Sequence, residues 1–274
     1  MATRKSQTTA ITNWDEELAA QAQAAAAMEE STSTGEFFGL KSGQLTWADS
    51  PLPGNQMAVI VLDHVLENLF YTGAYDSETP QAPDCFAFGR IEKELAPHQV
   101  VIDNGTAVCE SCHGCEKNEF GSADVGKGKA CRNVRRLAMI SAGTINPKTD
   151  EVTLVEDSGE IEAAKIGYMK LPVMSVKGWA AYVKQLAGAL HRPPHAVFTK
   201  VSVVPDAKSQ FRVVFECLGE VPNELLGAIM QRHNEAKEAI EFPYTPRDPN
   251  AEPPEKPASR RGAKAAAPGR GRKY

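Results

Sequence analysis

Cysteine spacing constrains this chain more than any other feature of its sequence. Five of its six cysteines fall between residues 85 and 131: Cys85, Cys109, Cys112, Cys115 and Cys131. Two residues separate Cys109 from Cys112 and Cys112 from Cys115, a spacing that lets paired sulfurs reach one tetrahedral Zn²⁺. Cys131 can close the site, and Cys85 can add a ligand from the end of a preceding strand. The pattern predicts one structural zinc ion with four cysteine ligands, and it leaves one cysteine spare.

Other interpretations of these cysteines stay open at the level of sequence. His113 or His98 can replace one sulfur ligand, and the Cys-x-x-Cys-x-x-Cys run resembles part of an iron–sulfur motif. A redox Cys-x-x-Cys pair normally begins a helix in a βαβ unit, which this sequence does not predict. The sixth cysteine, Cys217, lies in an apolar strand-like run, which favours a role as a small core residue.

Composition and charge indicate a globular body with an oppositely charged end. No apolar run approaches the ~20 residues that cross a bilayer, and the first residues lack the apolar core of a secretory signal. We therefore expect an intracellular protein in a reducing compartment, where clustered cysteines are more often metal ligands or catalysts than disulfides. None of the 35 acidic residues follows Glu255, but seven of the 30 basic residues do. These cations are Lys256, Arg260, Arg261, Lys264, Arg270, Arg272 and Lys273. They suggest either a polyanionic partner or a tail that only aids solubility.

The order of predicted elements favours a mainly β, α+β protein. Strand-like runs precede and follow the cysteine region, and strands do not alternate regularly with helices, so an antiparallel barrel of the OB type fits best. We predict an N-terminal arm with a helix at 1–35, one core domain at 36–243, a zinc knuckle inserted into that core at 85–131, and a disordered basic tail at 244–274.

Individual elements follow from local pattern. We predict two short strands around a Lys-Ser-Gly turn, a long strand at 57–72, and further strands at 135–141, 151–156 and 163–173. Two paired strands are expected at 195–205 and 210–219. Ser175 is the predicted N-cap of an amphipathic helix, and a last helix is expected from Asn223 or Glu224 to about Ile240.

A basic, glycine-rich stretch follows the cysteine pairs. Five cations lie within ten residues without an acid among them: Lys127, Lys129, Arg132, Arg135 and Arg136. This density predicts attraction to a nucleic-acid backbone, although a solvated loop that pairs with Asp124 and Glu119 is the alternative. Phe120 stands between charged and small residues, so it is the aromatic most suited to stack on a base. For the other aromatic residues, core packing is the favoured interpretation.

These motifs resemble a group of zinc-containing proteins of tailed phages. The resemblance rests on Pro83-x-Cys85, Cys112-x-x-Cys115-x-x-Asn118-x-Phe120-Gly121-Ser122, Gly126-Lys127-Gly128-Lys129-Ala130-Cys131 and Arg135-Arg136-Leu137, and it extends from about 37 to 242. Members with an assigned role are regarded as single-stranded-DNA-binding proteins of replication. The resemblance implies that Cys112, rather than Cys109, joins Cys85, Cys115 and Cys131 as a zinc ligand. It also implies a zinc insert in an OB barrel.

The chain departs from that group in two places. Glu116 follows the second paired cysteine, where proline is usual, and the tail is basic where an acidic, partner-recruiting tail is common. The basic tail therefore suggests extra contact with nucleic acid. Other partners that the resemblance implies are replication or recombination proteins and further copies on the DNA; no membrane partner is expected. If the gene is carried by a phage, the location would be the host cytoplasm.

Two other classes of function compete with single-strand binding. One is a zinc-stabilised interaction protein that regulates a polymerase or a recombination enzyme through its acidic body. The other is an enzyme such as a nuclease. A closed four-cysteine site leaves no position for a substrate or water, and the sequence has no His-Glu-x-x-His motif and no His–carboxylate cluster. We therefore expect a protein that is not an enzyme.

Overall fold

The computed structural model of the chain describes residues 37–47, 50–72 and 82–244. Its strands are β1 (Phe37–Lys41), β2 (Gln44–Trp47), β3 (Ser50–Pro51), β4 (Gln56–Phe70), β5 (Cys85–Gly89), β6 (Arg132–Ile145), β7 (Val152–Leu154), β8 (Gly167–Leu171), β9 (Val197–Asp206) and β10 (Gln210–Glu220). Its α-helices are α1 (Gln99–Asp103), α2 (Ser158–Ala163), α3 (Val173–Ala189) and α4 (Asn223–Ala239).

All ten strands belong to one sheet. Its hydrogen-bonded order is β10-β9-β4-β6-β8-β1-β2-β3, with β5 added to β4 and β7 added to β6. Every pairing is antiparallel except β1 with β8, which run parallel. The mainly β, α+β class predicted from sequence is therefore correct, but the sheet is mixed and its hydrogen-bonded path does not close. The β1–β2 turn nevertheless approaches the opposite end of the sheet, because Gly43 in that turn lies beside Phe211 at the start of β10.

Helices cover both faces of this curved sheet. On one face, Trp179, Tyr182 and Leu186 of α3 pack among buried residues of β2, β4, β6 and β9. On the other face, α2 and α4 cover a second core that contains Ile60 and Ile140. The long strand β4 is covered on both sides, which explains why its sequence is an almost continuous apolar run rather than an alternating one.

The predicted cap of α3 is wrong. The helix begins at Val173, two residues before Ser175, and Ser175 is buried. Its hydroxyl accepts a hydrogen bond from the backbone N–H of Val213 at 2.9 Å. A serine that satisfies a buried strand donor has the same local sequence as a serine that begins a helix, so the pattern could not separate the two roles.

Arg136, predicted to contact a nucleic acid, is instead a buried structural residue. It is 1% exposed and forms an ion pair with Glu67, which is 0% exposed, at 2.8 Å. Its guanidinium also donates to the carbonyls of Ile240 and Phe242 at 3.0 and 2.8 Å. A side chain held in this way cannot reach a phosphate, so the prediction for Arg136 is corrected.

The C-terminal part of the described chain is held on the sheet by the same pair. Tyr244, which the sequence placed first in the tail, donates its hydroxyl hydrogen bond to Glu67 and packs against Phe86 at 5.2 Å between ring centroids. The predicted N-terminal helix and the tail from residue 245 onward lie outside the described residues. Among the described helices, none is both long enough and apolar enough to span a membrane.

Replacing Arg136 with methionine should lower the free energy of unfolding by about 3–5 kcal/mol, because Glu67 would be left buried without its cation. Urea titration followed by circular dichroism measures this change. Arg192→Met is the matched control, since it removes the half-exposed ion pair with Glu220 and should cost less than about 1 kcal/mol. Equal losses in the two variants would contradict a structural role for the buried pair.

Candidate functional site

The five clustered cysteines line one small cavity at the end of β4. Strand β5 begins at Cys85, opposite Phe70 of β4, and β6 begins one residue after Cys131, opposite Leu69 of the same strand. These two cysteines therefore flank the end of β4 from its two sides. The cavity has a volume of about 20 Å³ and is lined by Cys85, Cys109, Cys112, Cys115 and Cys131.

A tight turn presents Cys112 and Cys115 to this cavity. Gly114, between them, has a φ of 79°, a left-handed conformation that glycine adopts without strain. The N–H of Cys112 donates to the carbonyl of Leu95 at 2.9 Å, which ties the turn to the segment after β5. The N–H of Cys131 donates to the carbonyl of Lys117 at 2.7 Å. The backbone thus fixes both ends of the segment between Cys115 and Cys131.

Burial and repulsion from neighbouring cysteines oppose ionisation of Cys85, Cys112 and Cys131. Burial is the main cause that raises the pKa of Cys85 and Cys112, and it raises the pKa of Cys131 to about 12. Neighbouring cysteines raise each pKa further, because several thiolates would crowd their negative charges around one cavity. A cation bound among the sulfurs would remove this penalty, and soft sulfur ligands favour Zn²⁺ among common metal ions.

Hydrogen bonding partly offsets this rise in the pKa of three of the predicted ligands. The backbone N–H of Val108 lowers the pKa of Cys85, and that of Leu69 lowers the pKa of Cys131, each by hydrogen bonding to sulfur after the larger effect of burial. The side chain of Asn68 acts on Cys112 in the same way. Hydrogen bonds of this kind stabilise thiolates and orient metal ligands.

Cys109 has a different environment from the other cysteines of the cavity. Its thiol donates a hydrogen bond to the carbonyl of Ser111 at 3.0 Å. Burial raises its pKa to about 12, and contact with the thiol of Cys115 adds to the rise. This contrast with Cys112 favours Cys112 as the ligand and Cys109 as the spare thiol, in line with the phage-family resemblance.

Zinc nevertheless remains a prediction. In the part of the chain that the structure describes, no group of three or more His, Cys, Asp or Glu side chains has the arrangement of a formed metal site. All six cysteines are free thiols, so disulfides do not use up any predicted ligand. The alternative ligand His98 does not line the cavity; it accepts from the N–H of Val100 and stacks on Phe86.

Asn118 connects the cysteine cavity to the basic loop. Its side-chain amide donates to the carbonyl of Cys112 at 2.9 Å. Its side-chain oxygen accepts from Asn133 at 3.0 Å and from the ammonium of Lys129 at 3.3 Å. One residue therefore holds the knuckle, the start of β6 and a loop cation together.

The loop between Cys115 and Cys131 is closed by its own hydrogen bonds and exposes an aromatic ring. The N–H of Gly121 donates to the carbonyl of Gly128 at 2.8 Å. Phe120 is 81% exposed, and the Lys129 ammonium lies 5.2 Å from the centre of its ring. Lys127 is exposed at the same loop, and Val125 near its tip is 90% exposed.

The remaining predicted cations are placed unevenly. Arg132 is exposed, and its guanidinium lies 5.5 Å from the ring centre of Tyr71. Arg135 is half-buried on the opposite face of β6 and donates to the carbonyl of Val134. Burial lowers its pKa. Lys127, Lys129 and Arg132 are therefore close to Phe120 in sequence. The structure separates half-buried Arg135 and buried Arg136 from these three cations.

Sequence reasoning missed several residues of this region. Asn68 and Asn133, which form a 2.6 Å hydrogen bond beside the cavity, carry no sequence signal of their own. The separation of Arg135 from Arg136 had a signal, since consecutive residues of a strand point to opposite faces.

In comparisons with known proteins, no family model, no curated protein and no solved structure matches this chain.

Purified protein should contain about one equivalent of zinc by elemental analysis. Cys112→Ser should lose that zinc, because it removes a thiolate that Asn68 supports. Cys109→Ser should retain it. Cys217→Ser, outside the cavity, is the control for a cysteine substitution elsewhere in the sheet. Zinc loss in Cys109→Ser with full retention in Cys112→Ser would reverse the assignment of these two cysteines, and zinc-free wild-type protein would remove the metal altogether.

Proposed function

We propose that this protein binds single-stranded DNA during phage DNA replication or recombination, with a structural zinc that supports a basic contact loop. Cys85, Cys112, Cys115 and Cys131 would hold the zinc. The proposal includes the finer architecture, an OB-like barrel with a zinc insert, which is supported by the curvature that brings Gly43 against Phe211. It also includes an intracellular location, the host cytoplasm for a phage-encoded protein, where thiols stay reduced.

The observation that carries this proposal is the pair formed by exposed Phe120 and half-buried Lys129 on a loop anchored at both ends. An exposed aromatic ring beside a cation is the chemistry that single strands use, since a base stacks on the ring and the phosphate meets the cation. Stacking contributes about 1–3 kcal/mol per base. Lys127 and Arg132 add cations on either side of Lys129 in sequence.

The zinc would act on binding indirectly. Four thiolates complete a tetrahedral site and leave no open position for water or substrate, so the metal would hold structure rather than perform chemistry. Cys115 and Cys131 lie at the two ends of the loop, and hydrogen bonds of Asn118 connect the knuckle to Lys129. A metal that fixes the knuckle would thus reduce the conformational entropy that the loop loses when it binds a strand.

A second candidate function is a zinc-stabilised regulator that contacts a polymerase or recombination enzyme. The observation that favours it is Val125, which is 90% exposed on the same loop as Phe120. Exposed apolar side chains grouped on one loop are also typical of protein contacts. In a pull-down, a stable protein partner together with no shift of a labelled single strand would favour this function over DNA binding.

Reversing the charge of Lys127, Lys129 and Arg132 together should weaken single-strand binding at least tenfold. The loss of affinity should be similar for strands of different base sequence. Loss of three phosphate contacts should also reduce the slope of log affinity against log salt by about 2. Fluorescence anisotropy with labelled oligonucleotides at several salt concentrations measures both quantities.

The matched control reverses the exposed cations Lys148, Lys208 and Arg212, which lie outside the loop, and produces the same change of net charge. That control should retain most of the affinity. If both triple variants bind as wild type does, the loop has no part in binding. If they lose affinity equally, only net charge matters.

A further inference from the structure

One thiol of the cysteine cavity has no part in the predicted zinc site. Cys109 lines the cavity together with Cys85, Cys112, Cys115 and Cys131, although four thiolates already complete a tetrahedral site. All five are free thiols. In a reducing compartment, disulfides are transient and redox-sensing rather than structural. Reversible thiol–disulfide chemistry is therefore what the spare thiol can offer.

The structure selects Cys115 as the partner of this spare thiol. Spacing alone would pair Cys109 with Cys112, because two residues separate them. In the structure the thiol of Cys109 contacts that of Cys115, whereas Cys112 and Cys85 affect its pKa only through their charges. The contact, rather than the Cys-x-x-Cys spacing, therefore determines which two sulfurs can join.

Cys109 is also the more accessible member of this pair. It is half-buried and is followed by exposed Glu110 and Ser111, whereas Cys115 is 8% exposed. Between residues 106 and 115 the chain forms bends and turns without a helix or strand. No regular ladder of hydrogen bonds there opposes the small movement that takes two sulfurs from contact to bonding distance.

We propose that Cys109 and Cys115 form a reversible disulfide when the protein meets a hydroperoxide, and that this bond removes Cys115 from the zinc site. One sulfur bonds to the terminal oxygen of the peroxide as the O–O bond breaks, and an alcohol leaves, or water from hydrogen peroxide. The other sulfur then bonds to the first, and that oxygen leaves as water. The two sulfurs give two electrons to the peroxide, and their two protons leave with the alcohol and the water.

The consequence for strand binding, the part of this inference that rests on the proposed function, is loss of one anchor of the loop. Cys115 and Cys131 lie at the two ends of the loop that carries Phe120. A sulfur in a disulfide is no longer a thiolate, which is the form that binds metal ions. Oxidation should therefore release the zinc and loosen the loop, and reduction should reverse both changes.

The test compares full-length wild type with Cys109→Ser and with Cys217→Ser, the control for a thiol outside the cavity. Each protein is treated with excess hydrogen peroxide and denatured, and its free thiols are alkylated. Disulfides are then reduced and their thiols alkylated with a second reagent, so that mass spectrometry identifies the paired cysteines. A chromogenic chelator measures the released zinc, and anisotropy with a labelled oligothymidine measures binding before and after treatment.

In wild type and Cys217→Ser, the second label should fall on Cys109 and Cys115 and not on Cys112. Cys109→Ser should release zinc about tenfold more slowly, because Cys115 then lacks the thiol in contact with it. Oxidised wild type should bind the strand about tenfold more weakly, since the loop is no longer held in one conformation. Dithiothreitol with added zinc should restore binding.

A Cys109–Cys112 disulfide in wild type, or no disulfide at all, would overturn the inference. Zinc release from Cys109→Ser at the wild-type rate would overturn the role of the spare thiol. A Cys109–Cys115 disulfide with unchanged strand binding would overturn the link between oxidation and binding. Failure of untreated wild type to bind the strand would overturn the proposed function itself and leave the assignment of the disulfide intact.

Discussion

The antiparallel pairing of β4 with β6 is the constraint on which the rest of the structure depends. The register joins Leu69 to Arg132 at one end and Ala58 to Gly143 at the other, with irregularities that let the long strands twist. At the first end it places Cys131 beside β4, across from Cys85, which the pairing of β5 with β4 positions. Further along, it brings Glu67 and Arg136 onto one face, where they meet. The position of Cys131 and the C-terminal anchor are therefore consequences of a single register.

The buried ion pair between Arg136 and Glu67 costs free energy to form, and removing one of its partners also costs free energy. Removing two charges from water carries a large penalty, which attraction and added hydrogen bonds offset only when the geometry is good. Here the guanidinium also lies 4.2 Å from the ring centre of Phe88 and 4.1 Å from that of Phe242. These contacts and the two carbonyl acceptors tie the C-terminal segment to the sheet. The pair is better understood as fixing one conformation than as adding net stability.

Around the cysteine cavity, electrostatics and the loop are connected. Thiols that are buried together resist ionisation, and a cation bound among Cys85, Cys112 and Cys131 would favour their thiolate forms. Hydrogen bonding from Val108, Asn68 and Leu69 lowers the pKa values in the same direction. Asn118 hydrogen-bonds both to the knuckle and to Lys129. A change that fixes the conformation of the cavity should therefore also restrict the loop that carries Phe120. Under the proposed function, metal binding and strand binding would be coupled through this asparagine.

The sequence by itself determined the elements and the chemistry that they offer. Alternation predicted the paired strands β9 and β10, β-branched and aromatic content predicted the long strand β4, and cysteine spacing predicted the five-cysteine cluster. The mainly β class and helix α4 were also predicted, because all these features depend on local sequence. Only the tertiary structure decided which faces are covered. It buried Arg136 while exposing Arg132, used Ser175 to satisfy a strand donor, and left the sheet mixed and unclosed. It also gave Cys112 and Cys109 different hydrogen bonds. The physical reason is that burial and hydrogen-bond partners come from residues distant in sequence, which no local pattern specifies.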